Sequence, residues 1–178
     1  MSTFPLGARP SVTWHPNPTN THFGAPRGGG FPVHGACDLV APAGTKVVAV
    51  QGGRIIRGPY EFVTYCAGTK HQTTTYAIDV AHEHFTLRYG EISNALANGL
   101  QANSTVSEGQ VIAFVGMQCN GTMLHFEMFD DPGRLDYLTD SSSKKYLYVP
   151  QDNYERRSDL LDPTWLLDSW YSKLPAIL

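Results

Sequence analysis

A chain of 178 residues, 42% of them apolar and 16% charged, holds enough apolar side chains for one core and too few charges for long disorder. Its net charge of −3 excludes a general nucleic-acid binder, because nothing in it drives counterion release from phosphates. It has no apolar run of the roughly 18 residues that a membrane-spanning helix needs, and the start MSTFPLGARPSV has no apolar signal core. Synthesis in a cytosol is therefore expected, with any work beyond the membrane reached by another export route.

Residues 1–33 are rich in Pro and Gly and are predicted as loop, since the run Arg27-Gly28-Gly29-Gly30 loses too much entropy in regular structure. From there the hydrophobic period is two. Residues 46–50, 53–58, 62–66, 74–81, 84–90, 110–116 and 122–129 read as strands, β-branched or aromatic and punctuated by Gly. Residues 94–100 suit one helical turn, and the polar stretch 130–157 a long loop. A helix is predicted over about 163–172, with Asp162 as N-cap, Pro163 in its first turn and Trp165, Leu166 and Trp170 as its apolar face, Leu166 and Trp170 packing on the sheet. The expected fold is mainly β, an antiparallel sheet with a short C-terminal helix, in one domain over 1–178 whose core spans about 21–129. Cys37, Cys66 and Cys119 are odd in number, widely spaced and without a CxxC pair, so each is expected as a half-buried apolar residue and not as part of a disulfide framework.

Three stretches carry residues able to ligate a metal. In His34-Gly35-Ala36-Cys37-Asp38, Gly35 and the nearby Pro42 argue for a loop entering a strand, with His34 and Asp38 converging across the turn. In Met123-Leu124-His125-Phe126-Glu127-Met128, alternation puts Met123, His125 and Glu127 on one face and the three apolar residues on the core side. Further back, Gly90 is expected to end a strand and leave Glu91 exposed in a turn. Each stretch also has an ordinary reading: a surface His with a turn Asp, a solvent-facing His and Glu, a surface Glu. Two imidazoles and a carboxylate suit Zn²⁺, and three protein ligands leave the fourth place for water. Spacing alone leads to a metal hydrolase as one option beside these.

The order of the elements resembles the lysostaphin/LytM-type zinc metallopeptidases, which cleave peptide cross-links in bacterial peptidoglycan. The resemblance runs from about Thr21 to Phe129. It rests on THFGAPRGGGFPVHGACDLVAPAGTKVVAVQGGRI, on GQVIAFVG at 109–116 and on the closing Leu124-His125-Phe126-Glu127. It implies His34, Asp38 and His125 as zinc ligands, and an antiparallel sheet with a groove open to an extended cell-wall peptide.

Two positions depart from that pattern. The family closes with His-x-His, where this chain has Met123, and places a second catalytic His in Tyr-Ala-His-Leu, where this chain has Glu91. Two functions follow. One is a zinc endopeptidase in which Glu91 serves as general base, as a carboxylate beside zinc does in other hydrolases. The oxyanion donor, a role Met123 cannot fill, then falls to His82, His84, Tyr89 or Arg27. The other is an inactive zinc-binding pseudo-peptidase that holds cell-wall peptide or a regulatory partner. The RYGE and MLHFE variants and the tail RRSDLLDPTWLL also resemble a subset encoded beside type VI secretion components. That implies an antibacterial effector acting in the periplasm or cell wall, with a secretion-spike component and a cognate immunity protein as partners. A cysteine hydrolase using Cys37 with His34 is disfavoured, because Asp38 opposes a thiolate.

Overall fold

The computed structural model describes residues 2–26, 33–65, 72–119, 121–130 and 160–174. In chain order these form β1 (Cys37–Val40), β2 (Lys46–Val48), β3 (Gly53–Tyr65), β4 (Gln72–Ala81), β5 (Thr86–Ile92), a 3-10 turn (Ala97–Gly99), β6 (Thr105–Val106), β7 (Val111–Phe114), β8 (Met123–Phe129), β9 (Leu160–Leu161) and α1 (Thr164–Tyr171). One antiparallel sheet runs β1-β8-β5-β4-β3-β6, with β9 also on β8, and a second pairs β2 with β7. The mainly β expectation holds.

The core fills one face of the large sheet. Leu39, Leu124, Phe126, Leu87, Tyr89, Ile78, Val80 and Ile55 point there, and Val47 and Ile112 meet them from the small sheet. Phe4, Leu6 and Trp14 join from the N-terminal loop, which Leu6 bridges to Val47. The alternation read for β8 is observed, with Leu124, Phe126 and Met128 buried in the core.

Four sequence expectations need correction. β3 is continuous over Gly53–Tyr65, where the sequence pattern gives two strands, 53–58 and 62–66. The ladder to β4 shifts register between Ile55 and Arg57 and again between Arg57 and Tyr60, and such irregularities are where a strand tolerates Pro. Gly90 likewise does not end β5. Tyr89 and Ile92 are three apart yet share the core, a spacing that regular alternation would place on opposite faces. The extra residue is taken up in a bulge: Ile78 pairs with Tyr89 and Tyr76 with Ile92, and Glu91 has φ 62°. Glu91 is consequently buried, at 8% exposure, and not in a turn.

The helix packs Trp170 and, in part, Leu166 as expected, but its buried face is centred on Leu167 and not on Trp165. Leu167 and Trp170 are buried, Leu166 is partly buried and Trp165 is 64% exposed. The N-cap is Pro163 and not Asp162, and Asp162, one residue earlier, accepts from the Thr164 N–H at 2.9 Å. Trp170 meets Phe126 edge-on, and Asp168 accepts from the Trp14 indole, so α1 ties the N-terminal loop to β8. Last, Cys119 is disulfide-bonded while Cys37 is free and buried, since distance along a chain does not measure distance across antiparallel strands. Cys66 and, apart from Asp130, the loop expected over 130–157 lie outside the described residues.

Two predictions follow from this packing. Leu167→Ala should lower unfolding free energy by about 2–5 kcal/mol, the range for a buried Leu. Trp165→Ala should stay within about 0.5 kcal/mol of the parent. Denaturant titration checks both, and equal losses would contradict the helix orientation. His82 donates from Nδ1 to the Gly52 carbonyl, and its buried Nε2 has no partner among the described residues. Burial holds its pKa below the ordinary value, with the Gly52 bond acting the other way. The unfolded chain therefore takes the proton first. Stability from neutral His82 is complete above the unfolded value of about 6.5 and is lost as pH falls below it. His82→Gln should flatten the decline in unfolding midpoint between about pH 7.5 and 5; an unchanged slope would count against it.

Candidate metal centre

The sheet face opposite the core carries the polar residues. Asp38 on β1 lies directly across from His125 on β8, so the pairing of two strands places a carboxylate beside an imidazole. His34 arrives from the preceding loop, which is laced to residues 22–25 by Gly24 N–H to the His34 carbonyl and His34 N–H to the Ala25 carbonyl. His34 Nδ1 donates to the His22 carbonyl at 2.9 Å, turning Nε2 inward. His125 Nε2 donates to Glu127 Oε1 at 2.9 Å, turning Nδ1 inward.

The inward atoms converge. Asp38 Oδ1 lies 3.1 Å from His34 Nε2 and 3.0 Å from His125 Nδ1, and the two nitrogens are 3.5 Å apart. Those are close to the edges of a tetrahedron with metal–ligand bonds of 2.0–2.1 Å, about 3.3–3.4 Å. With each outer nitrogen donating its hydrogen elsewhere, three lone pairs face one another, an arrangement that suits a cation between them. Burial alone would lower the His125 pKa, but the bonds to Asp38 and Glu127 push it up to about 10. Burial alone would raise that of Asp38, but the two imidazoles hold its carboxyl well below the usual range. The residues present fit a zinc ion.

Behind His125 runs a row that sequence reading missed. Glu127, Arg88 and Asp79 are direct cross-strand neighbours on β8, β5 and β4. Arg88 Nη1 donates to Glu127 Oε2 at 2.7 Å and Nε to Asp79 Oδ1 at 3.0 Å, and the Tyr60 hydroxyl donates to Asp79. The Phe62 ring sits 5.2 Å from that of His125. Only Glu127 could be placed from sequence, through its shared face with His125; the others need the register.

Gly90 faces His125, and a Cβ there would stand 3.3 Å from the His125 Cβ, so the chain passes close to the ligand. Glu91 follows at once. It does not join the three-ligand cluster, and its Oε2 accepts from Gln118 Nε2 at 2.7 Å. Gln118 also reaches the Met123 carbonyl at 3.4 Å, and no sequence signal marked it. The other donors named from sequence are elsewhere. His84 lies in the β4–β5 turn, and Thr86 pairs with Phe129, four positions from the Gly90–His125 pair or roughly 13 Å along the strand. His82 hydrogen-bonds to the Phe85 carbonyl at that same end. The Tyr89 hydroxyl is on the core side, accepting from the Val50 N–H. Arg27 lies outside the described residues.

Residues 32–137, more than half of the chain, match peptidase family M23 and include all three members of the cluster. The chain belongs to peptidase family M23. Solved structures agree on the fold. CbpA from L. salivarius REN has a TM-score of 0.56 at 18% identity, over 98% of this chain and 99% of its own. The catalytic domain of the antimicrobial peptidase lysostaphin from Staphylococcus simulans gives 0.52 at 18%, over 80% and 85%. LytU gives 0.51 at 20%, over 83% and 81%. No curated protein matches the chain.

Cys37 takes no part in the centre. Burial pushes its thiol up to about 11, although bonds to Thr164 and to the Phe23 backbone act the other way. Near pH 8 the folded protein should leave Cys37 unalkylated by iodoacetamide, with labelling only on unfolding. Rapid labelling of native protein would return the cysteine-hydrolase reading to consideration.

Proposed function

We propose that this family M23 member is a zinc-dependent endopeptidase that cleaves peptide cross-links of bacterial peptidoglycan. The convergence of His34 Nε2, Asp38 Oδ1 and His125 Nδ1 carries the reading. These three atoms would hold the metal, which when bound supplies Lewis acidity and a water acidified towards neutrality. Glu91 is the general base: its carboxylate follows the residue that faces His125 and stays outside the ligand cluster. Gln118 Nε2 donates to this carboxylate and orients it, and a carboxylate in this place takes the proton of the attacking water and passes it on to the leaving amine. Met123 contributes no donor, and the Gln118 amide directs its hydrogens at Glu91 Oε2 and the Met123 carbonyl. Gly90, without a side chain, lets β5 lie close against His125 and bring Glu91 beside it. The Cys119 disulfide supports a working place outside a reducing cytoplasm, in keeping with a secreted effector that meets the periplasm or cell wall.

Elemental analysis should find one zinc per chain, and His34→Ala or His125→Ala should abolish it. Glu91→Gln should keep zinc and fold and lose roughly 10²–10⁴ in rate on purified peptidoglycan. Parent-like turnover would move the base elsewhere. Bound zinc with no turnover by the parent would leave a pseudo-peptidase that binds cell-wall peptide.

A further inference from the structure

The ionic row behind the centre asks for a physical reason. Asp79 is fully buried, Glu127 nearly so, and the Arg88 side chain is 17% exposed. Burying a guanidinium between two carboxylates is not by default a way to gain stability, since apolar side chains of similar volume often do as well or better. The row runs straight from Asp79 through Arg88 to Glu127 and ends on a proposed ligand.

Its chemistry at that end is specific. A His125 ring that offers Nδ1 to a metal must keep its hydrogen on Nε2, and Glu127 Oε1 is the acceptor that keeps it there. Glu127 is also a hazard. It stands two residues along the same strand face from His125, and a carboxylate at that distance is itself a zinc ligand by type. Arg88 Nη1 engages its second oxygen at 2.7 Å, so both oxygens point away from the three-atom cluster. Asp79 and the Tyr60 hydroxyl in turn fix the guanidinium in the plane this requires.

We infer that Glu127 and Arg88 are positioning residues for His125: Glu127 fixes the ring with Nδ1 inward, and Arg88 holds Glu127 as a hydrogen-bond acceptor so that the fourth coordination place stays open. The inference rests on the zinc reading of this site and concerns the protein's own residues toward that ion.

The test is metal binding by the full chain, freed of metal and titrated with Zn²⁺ against a chromophoric chelator, together with the visible spectrum of the Co²⁺ form. Glu127→Ala should weaken zinc binding roughly 10- to 100-fold, the usual worth of a carboxylate behind a ligand histidine. Arg88→Met should release Glu127 toward the metal and weaken the visible Co²⁺ bands, as a rise in coordination number does. The double variant Glu127→Ala/Arg88→Met should have the spectrum of Glu127→Ala alone, because Arg88 acts only through Glu127. If Arg88→Met does not fold, Arg88→Lys keeps the charge without the fork that bridges two carboxylates, and should shift the spectrum in the same direction. A parent that binds zinc while every variant keeps its affinity and spectrum would overturn the inference and leave the zinc reading standing. A parent that binds no zinc would overturn both.

Discussion

Asp38 and His125 face each other across β1 and β8, and with His34 they set three lone-pair atoms within 3.5 Å of one another. Such a group is repulsive unless positive charge lies inside it. The bonds to Asp38 and Glu127 push the His125 pKa up, so positive charge is favoured at this point, as the donor set of a divalent cation site requires. The rest of the molecule holds this concentration of negative potential in place. Strand β8 is the pivot, because it pairs with β1, β5 and β9, and its alternation sends Phe126 into the core and His125 to the other face.

The two faces of the large sheet are buried by different means. One buries aliphatic and aromatic side chains against the small sheet, the N-terminal loop and α1, and its gain is proportional to area. The other buries charges, whose desolvation only paired geometry offsets. Direct cross-strand neighbours supply that geometry, since opposed side chains on antiparallel strands lie within reach of each other without strain. The row continues to Arg57, opposite Asp79 on β3, whose guanidinium stacks over the Tyr60 ring at 3.9 Å. From His125 through Glu127, Arg88 and Asp79 to the Tyr60 hydroxyl each group is hydrogen-bonded to the next, so the ring is held by a row that reaches β3.

The bulge in β5 decides where the Glu91 carboxylate is delivered. Without the extra residue, Tyr89 and Ile92 could not both be core residues, and Glu91 would compete with them for apolar space. With it, Gly90 lies against His125 and the Glu91 carboxylate finds Gln118. The conformation at Glu91 is left-handed, an uncommon one for this residue, and strain of this kind persists only where the surroundings over-determine it.

Much of this was legible in the residues themselves. Period-two alternation in 122–129 set which side chains of β8 meet the core, because a strand has only two faces. The turn chemistry around Gly35 and Pro42 placed His34 and Asp38 on a loop entering a strand, and Asp162 and Pro163 marked the start of α1. What sequence could not supply was register and irregularity. Arg88 and Asp79 are ordinary charged residues until two ladders set them opposite Glu127. Gln118 and Phe62 come from distant segments, and the burial of Glu91 depends on one inserted residue. The helix face turned on whether Trp165 or Leu167 meets the sheet, which neither composition nor period decides. Local physics determines which way a side chain points on its own strand. Which partner it finds there depends on long-range pairing, and that is settled only when the whole sheet closes around its core.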